Sequence, residues 1–135
     1  MLFRSEMKRL QQYDLFFDYT RDYYWEKEQG EVPLEKSRVL QLIFLILCFV
    51  PGRRYSLEQI YEAVWQKKYN EELDEPTVRV AVNRLKKRVE INKDQYIGQG
   101  LLDGTFYLKS EVRFCLVIPE DEISHFRSVM EKLNV

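Results

Sequence analysis

Positively charged side chains gather in one short stretch of the chain. Residues 76–93 carry Arg79, Arg84, Lys86, Lys87, Arg88 and Lys93 against a single acid, Glu90. Guanidinium and ammonium groups at this density can meet the phosphates of a nucleic acid, or they can simply solvate a helix face. Charge alone leaves both readings open. The following stretch, 94–135, leans the other way. Lys109, Arg113, Arg127 and Lys132 stand there against Asp94, Asp103, Glu111, Glu120, Asp121, Glu122 and Glu131. A formal net charge of −1 therefore hides a local basic patch.

No comparable grouping supports catalysis. There is one histidine, His125, with no Cys or His at metal-ligand spacing near it. Gly98, Gly100 and Gly104 lack the strand-to-helix context and the lysine of a phosphate loop. No serine sits in a nucleophile-elbow pattern, and the pair Glu71-Glu72 falls in a polar stretch where acids are usually only solvated. The expectation is a non-enzyme, with no catalytic residues, no metal and no organic cofactor.

The basic patch needs a scaffold, and 135 residues suffice for one domain with a real core. The composition is 45% hydrophobic, 14% aromatic and 32% charged, with five Gly and four Pro, which excludes low-complexity, collagen-like and disordered classes. The apolar run Val39–Val50 contains Gln41 and is too short to span a bilayer, so no membrane partner is expected. Arg4, Glu6, Lys8 and Arg9 break up any secretory leader. Cys48 and Cys115 lie inside apolar runs and read as buried thiols of a reducing compartment, the cytoplasm.

Phe3, Met7 and Leu10 at i, i+4, i+7 predict a short N-terminal helix or linker over 1–13. Leu15–Tyr19 and Tyr23–Glu28 are aromatic-rich and predict an antiparallel ribbon turning at Asp22, with Val32–Leu34 as a third, edge segment limited by Pro33. A long helix follows from about Glu35 to Val50, apolar nearly all round and so enclosed, ended by Pro51-Gly52. Ser56 with Gln59 forms a capping box for a helix from Leu57 to about Lys67. After a polar loop, Pro76 is placed as first residue of a third helix running to about 90, with Val78, Val82, Leu85 and Val89 on its buried face. Tyr96–Ile97, Thr105–Leu108 and Val112–Ile118 read as strands with a turn at Asp103-Gly104, and Pro119 opens a last helix whose apolar face is Ile123, Phe126, Met130 and Leu133.

Three helices, the third basic, followed by strand–turn–strand, make an α+β winged helix-turn-helix. The blocks Gly30-Glu-Val-Pro-Leu34, Pro51-Gly-Arg-Arg-Tyr-Ser56, Leu57-Glu-Gln-Ile-Tyr-Glu-Ala-Val-Trp65 and Thr77-Val-Arg-Val-Ala-Val-Asn-Arg-Leu-Lys-Lys-Arg-Val89 resemble the OmpR/PhoB-type effector domain, a bacterial DNA-binding domain preceded by an N-terminal antiparallel sheet. The resemblance covers about 14–108, with the recognition helix at about 76–90 and the wing at about 96–108. Residues 109–135 add a strand and a helix as an extension of the same domain.

The resemblance implies that Val78, Val82, Leu85 and Val89 are core positions, while Arg79, Val80, Asn83, Arg84 and Lys86 face the major groove. That fits elementary recognition chemistry: Arg pairs with guanine in a bidentate way, Asn with adenine, and valine touches a thymine methyl. Arg84 and Asn83 are expected on bases, supported by Arg79 and Val80. Lys86 and Lys87 are expected on phosphate, and Arg53, Arg54, Lys67 and Lys68 on flanking backbone. Two features depart from the family. The wing, Ile97–Tyr107, carries no Lys or Arg and one acid, Asp103, so an arginine inserted in the minor groove is missing. The extension follows where the family normally ends. The function implied is sequence-specific duplex DNA binding in bacterial transcription regulation, as effector domain of a larger regulator, with double-stranded DNA, a second copy or an upstream regulatory domain as partners. The alternative left open is a winged-helix module for protein–protein contact.

Overall fold

A computed structural model describes residues 8–19, 23–34, 37–100 and 104–131. The N-terminal helix residues Phe3 and Met7, the turn residues Asp22 and Asp103, the helix start at Glu35 and the terminal Leu133 lie outside the described residues, as does the side chain of His125. Among the described residues no helix is long and apolar enough to cross a membrane.

The aromatic residues near the start build a sheet because they are wanted on both of its faces. Strands β1 (Leu15–Asp18), β2 (Tyr23–Glu26) and β3 (Gly30–Glu31) run antiparallel. Leu15, Phe17 and Tyr24 point into the main core, where the Phe17 ring lies 5.1 Å from that of Phe44. Phe16 and Trp25 point the opposite way, into a smaller cluster closed by Leu10. A strand buried on both faces reads as a continuous apolar run, which is the pattern of Leu15–Phe17. The third strand sits at Gly30–Glu31 rather than Val32–Leu34, because Gly30, with φ 77°, supplies the turn that reverses the chain.

The fourth strand of this sheet comes from the far end of the chain. Strand β6 (Phe114–Val117) pairs with β1 in parallel, giving the order β3-β2-β1-β6. Asp14 fastens the junction, accepting from the Arg113 N–H at 3.0 Å and pairing with Lys27 at 3.2 Å. Burial pushes the Asp14 carboxyl up, but the Arg113 N–H, Lys27 and the Arg113 guanidinium outweigh it and hold the group below the ordinary carboxylate range.

Helix α1 (Arg38–Phe49) starts where the Ser37 hydroxyl accepts from the Leu40 N–H, and Leu40 through Cys48 are all buried. Burial pushes the Cys48 thiol far up, so it stays protonated and inert. Cys115 is only half-buried. Pro51-Gly52 turns the chain, and Tyr55 then exchanges two backbone hydrogen bonds of 2.8 Å with Phe106, adding a bridge to the wing hairpin of β4 (Ile97–Gln99) and β5 (Phe106–Leu108). Helix α2 (Leu57–Trp65) opens with the Ser56–Gln59 capping box and stops at Gln66, whose left-handed φ of 60° ends it two residues before the expected Lys67.

The third helix departs most from expectation. Helix α3 spans Glu71–Val89, so Pro76 lies inside it rather than at its first position, and Glu71–Glu75 are helical rather than loop. The reason is local. Asn70 accepts from the Glu72 and Leu73 N–H groups, while the Asp74 carboxylate accepts from the Asn70 N–H in return. A strong cap with three acids in the first turn starts the helix a turn and a half early. Pro76 then costs it one internal hydrogen bond. Helix α4 (Glu120–Glu131) follows Pro119 and packs Phe126 against Phe49, ring centroids 4.9 Å apart.

Candidate nucleic-acid interface

Packing decides which side of α3 faces outward. Val78, Val82, Leu85 and Val89 are essentially inaccessible, and Ala81 is buried beside them. Every helical residue a third of a turn away from that stripe is thereby turned outward. Thr77, Val80, Asn83, Arg84 and Lys87 are exposed along this outer line, and Val80, at 56%, presents an unusually bare apolar side chain. Leu73 and Ile91 extend the same line at either end and are also exposed.

The end of the helix is held from behind. The Gln29 side-chain amide, in the turn between β2 and β3, donates to the Val89 carbonyl at 3.1 Å. Glu90 caps the helix and accepts from the N–H groups of Tyr96 at 2.7 Å and Ile97 at 3.0 Å, which joins α3 to the start of the wing. Burial pushes the Glu90 carboxyl up despite those two donors. The Tyr96 hydroxyl donates to Glu26, fully buried at the end of β2, whose other oxygen accepts from the N–H groups of Glu28 and Gln29. Burial, reinforced by the Glu26 carboxylate, drives the Tyr96 phenol far up. Helix α3, the wing hairpin and the sheet are thus one polar network around three buried or half-buried groups.

The cations expected from sequence divide into two sets. Asn83, Arg84 and Lys87 are exposed on the outer line. Arg79 and Lys86 are engaged within the protein. Arg79 pairs with Glu75 at 2.8 Å across one turn of α3, and its guanidinium also reaches toward Gly104 of the wing. Lys86 pairs with Asp94, and its side chain is only 12% exposed. That pairing was not legible in the sequence, because Asp94 lies beyond the helix end at no helical spacing from Lys86 and approaches through a left-handed φ of 54°. Glu75 and Arg79, at i and i+4, were legible once the helix is extended past Pro76.

The arginines of the loop before α2 approach the wing. The Arg54 guanidinium lies 4.5 Å from the ring centroid of Tyr107 on β5, and that of Arg53 lies 5.7 Å from the Tyr55 ring. Tyr107 lies so close over Gly98, its partner on β4, that no Cβ fits there. A wing without basic residues of its own therefore carries a guanidinium borrowed from the loop before α2. Lys67 and Lys68 are exposed in the short loop ahead of α3.

No group of three or more His, Cys, Asp or Glu side chains among the described residues is arranged to hold a metal ion. Three packed helices, a hairpin after them and a charged outer face on the third define a winged helix-turn-helix protein. The family described as "Transcriptional regulatory protein, C terminal" matches residues 31–99, half of the chain. The chain belongs to that family, the OmpR/PhoB-type DNA-binding domains of transcription regulation, which is a family of regulatory domains and not of enzymes. No curated protein and no solved structure matches it.

Proposed function

We propose that this domain binds duplex DNA in a sequence-specific way, as the effector part of a larger bacterial, cytoplasmic transcription regulator. The observation that carries the reading is the outer line of α3, where Val80, Asn83, Arg84 and Lys87 stand exposed on a helix whose opposite face is fully packed. An α-helix fits the major groove, and these side chains offer an apolar contact for a thymine methyl, an amide for adenine and a bidentate donor for guanine. Lys87 sits where phosphate contacts would fix register, with Arg53 and Arg54 on the flank toward the wing. Arg79 can join them by exchanging Glu75 for a phosphate, since an exposed i, i+4 pair is held weakly. A second copy of the chain on a neighbouring half-site and an upstream regulatory domain are the partners this reading implies.

The test is fluorescence anisotropy with labelled duplex, read at several salt concentrations, for the parent chain and for Arg84→Glu/Lys87→Glu. The parent's log affinity should fall with log salt at about 0.9 per phosphate contacted, and the variant should bind at least tenfold more weakly with a flatter slope. Both changes are exposed, so thermal unfolding should be unaltered. Equal binding by parent and variant, or none by the parent at low salt, would leave a protein-contact module as the reading instead.

A further inference from the structure

A carboxylate beyond the end of α3 engages one of the lysines of that helix. The segment after α3 is tightly organised: the Gln95 side-chain oxygen accepts from the N–H groups of Ile91 at 2.9 Å and Asn92 at 3.2 Å, and Glu90 holds Tyr96 and Ile97. This loop turns through left-handed Asp94 and delivers its carboxylate to the Lys86 ammonium. Asp94 and Glu90, with Lys86, Lys87, Asn83 and Lys93, line one open hollow at the end of α3. Lys93 and Lys109 also act on Asp94, while Glu90, which faces both Lys86 and Asp94, is already occupied by the Tyr96 and Ile97 N–H groups, so Asp94 is the carboxylate that pairs with Lys86.

We propose that Asp94 is a built-in competitor for DNA phosphate, holding Lys86 against the protein so that the recognition helix meets the duplex with one cation fewer. The proposal rests on the DNA-binding reading above. Two features separate this pair from Arg79–Glu75. Lys86 is 12% exposed whereas Arg79 is 40% exposed, although their acids Asp94 and Glu75 are alike at 39% and 35%, and Asp94 is positioned by a hydrogen-bonded loop rather than by a flexible side chain one turn away. An exposed helical pair exchanges its partner readily, but a covered lysine clamped from a separate segment does so at the expense of the clamp. The device sets affinity at the end of the helix nearest the wing, where the wing itself offers no basic side chain.

Asp94→Asn removes only the charge, because Asn tolerates the left-handed backbone that Asp94 adopts. In the anisotropy titration of the whole chain with mixed-sequence duplex, D94N should steepen the salt slope by about 0.9 and raise affinity severalfold at low salt. Adding Lys86→Met, which keeps the packed aliphatic stem, should return the slope to the parent value. An unchanged slope in D94N overturns the proposal, because Lys86 is then already on the DNA or remains held without the charge. A gain that survives in D94N/K86M also overturns it, since Asp94 then acts only by repelling DNA. Arg84→Glu/Lys87→Glu, run alongside, separates the two levels. If that variant binds like the parent the DNA reading fails, whereas if it weakens binding while D94N changes nothing, only the competitor role is lost.

Discussion

Helices α1 and α3 lie against each other in one core, yet they are built on opposite terms. Along α1 nine consecutive residues, Leu40–Cys48, are buried, so every side of the helix meets protein. Along the 19 residues of α3 only Val78, Ala81, Val82, Leu85 and Val89 are buried, and the rest carry five cations toward its C-terminal end and four acids in its first turns. Stability is therefore concentrated in a helix whose surface, its two ends apart, is taken up by the protein itself. The proposed recognition surface lies instead on a helix that contributes a single stripe to the core. Substitution on the outer line of α3 can change what is bound without unsettling the fold, a freedom that α1 lacks.

Changes at graded depth test that division. The largest effect belongs to Ile46→Ala at the inaccessible middle of α1, which should cost about 2–5 kcal/mol by urea denaturation. A loss below about 1 kcal/mol there would mean that the core does not rest on α1 in this way. Next comes Ser56→Ala, which removes the hydroxyl that accepts from the Gln59 N–H, leaves the backbone N–H of residue 56 bonded to the Gln59 side chain, and should cost about 1 kcal/mol. DNA affinity measured well below the melting temperature should be retained in each.

The smallest effect is electrostatic and depends on pH. Asp14 titrates below its ordinary value of 3.8 in the folded chain, so its contribution is present above that value and is lost as pH falls through the lowered one. Asp14→Asn should therefore be less stable than the parent at pH 7, with the deficit shrinking as pH is lowered toward 3. A deficit that stays constant over that range would assign the effect to geometry instead of charge.

What sequence could reveal tracks how local the cause is. The stripe Val78–Val82–Leu85–Val89, the Ser56–Gln59 box and the enclosed apolar helix each depend on residues within a few turns of one another, and all were legible. Pro76 misled because a proline at the first helical position is a good general signal, while the competing cap at Asn70 is spread over Glu72, Leu73 and Asp74. The pairing of β6 with β1 and the capture of Lys86 by Asp94 have no periodicity to betray them. Nor does the reach of Arg54 to Tyr107, which joins two segments about two-fifths of the chain apart.

The parallel pairing of β1 with β6 also bears on how the chain is made. Asp14 and Arg113, which fasten that pairing, are 99 residues apart, so the four-stranded sheet is closed by a contact of very long range. On the ribosome β1 emerges about a hundred residues ahead of β6, an interval of roughly 5–20 s at about 5–20 residues per second, and until then its edge toward β6 has no strand to pair with. The segments of the three-helix unit are all out of the exit tunnel before then. An apolar strand with an unpaired edge is a template for intermolecular association, so during synthesis this protein depends on its last strand arriving before a neighbouring chain does.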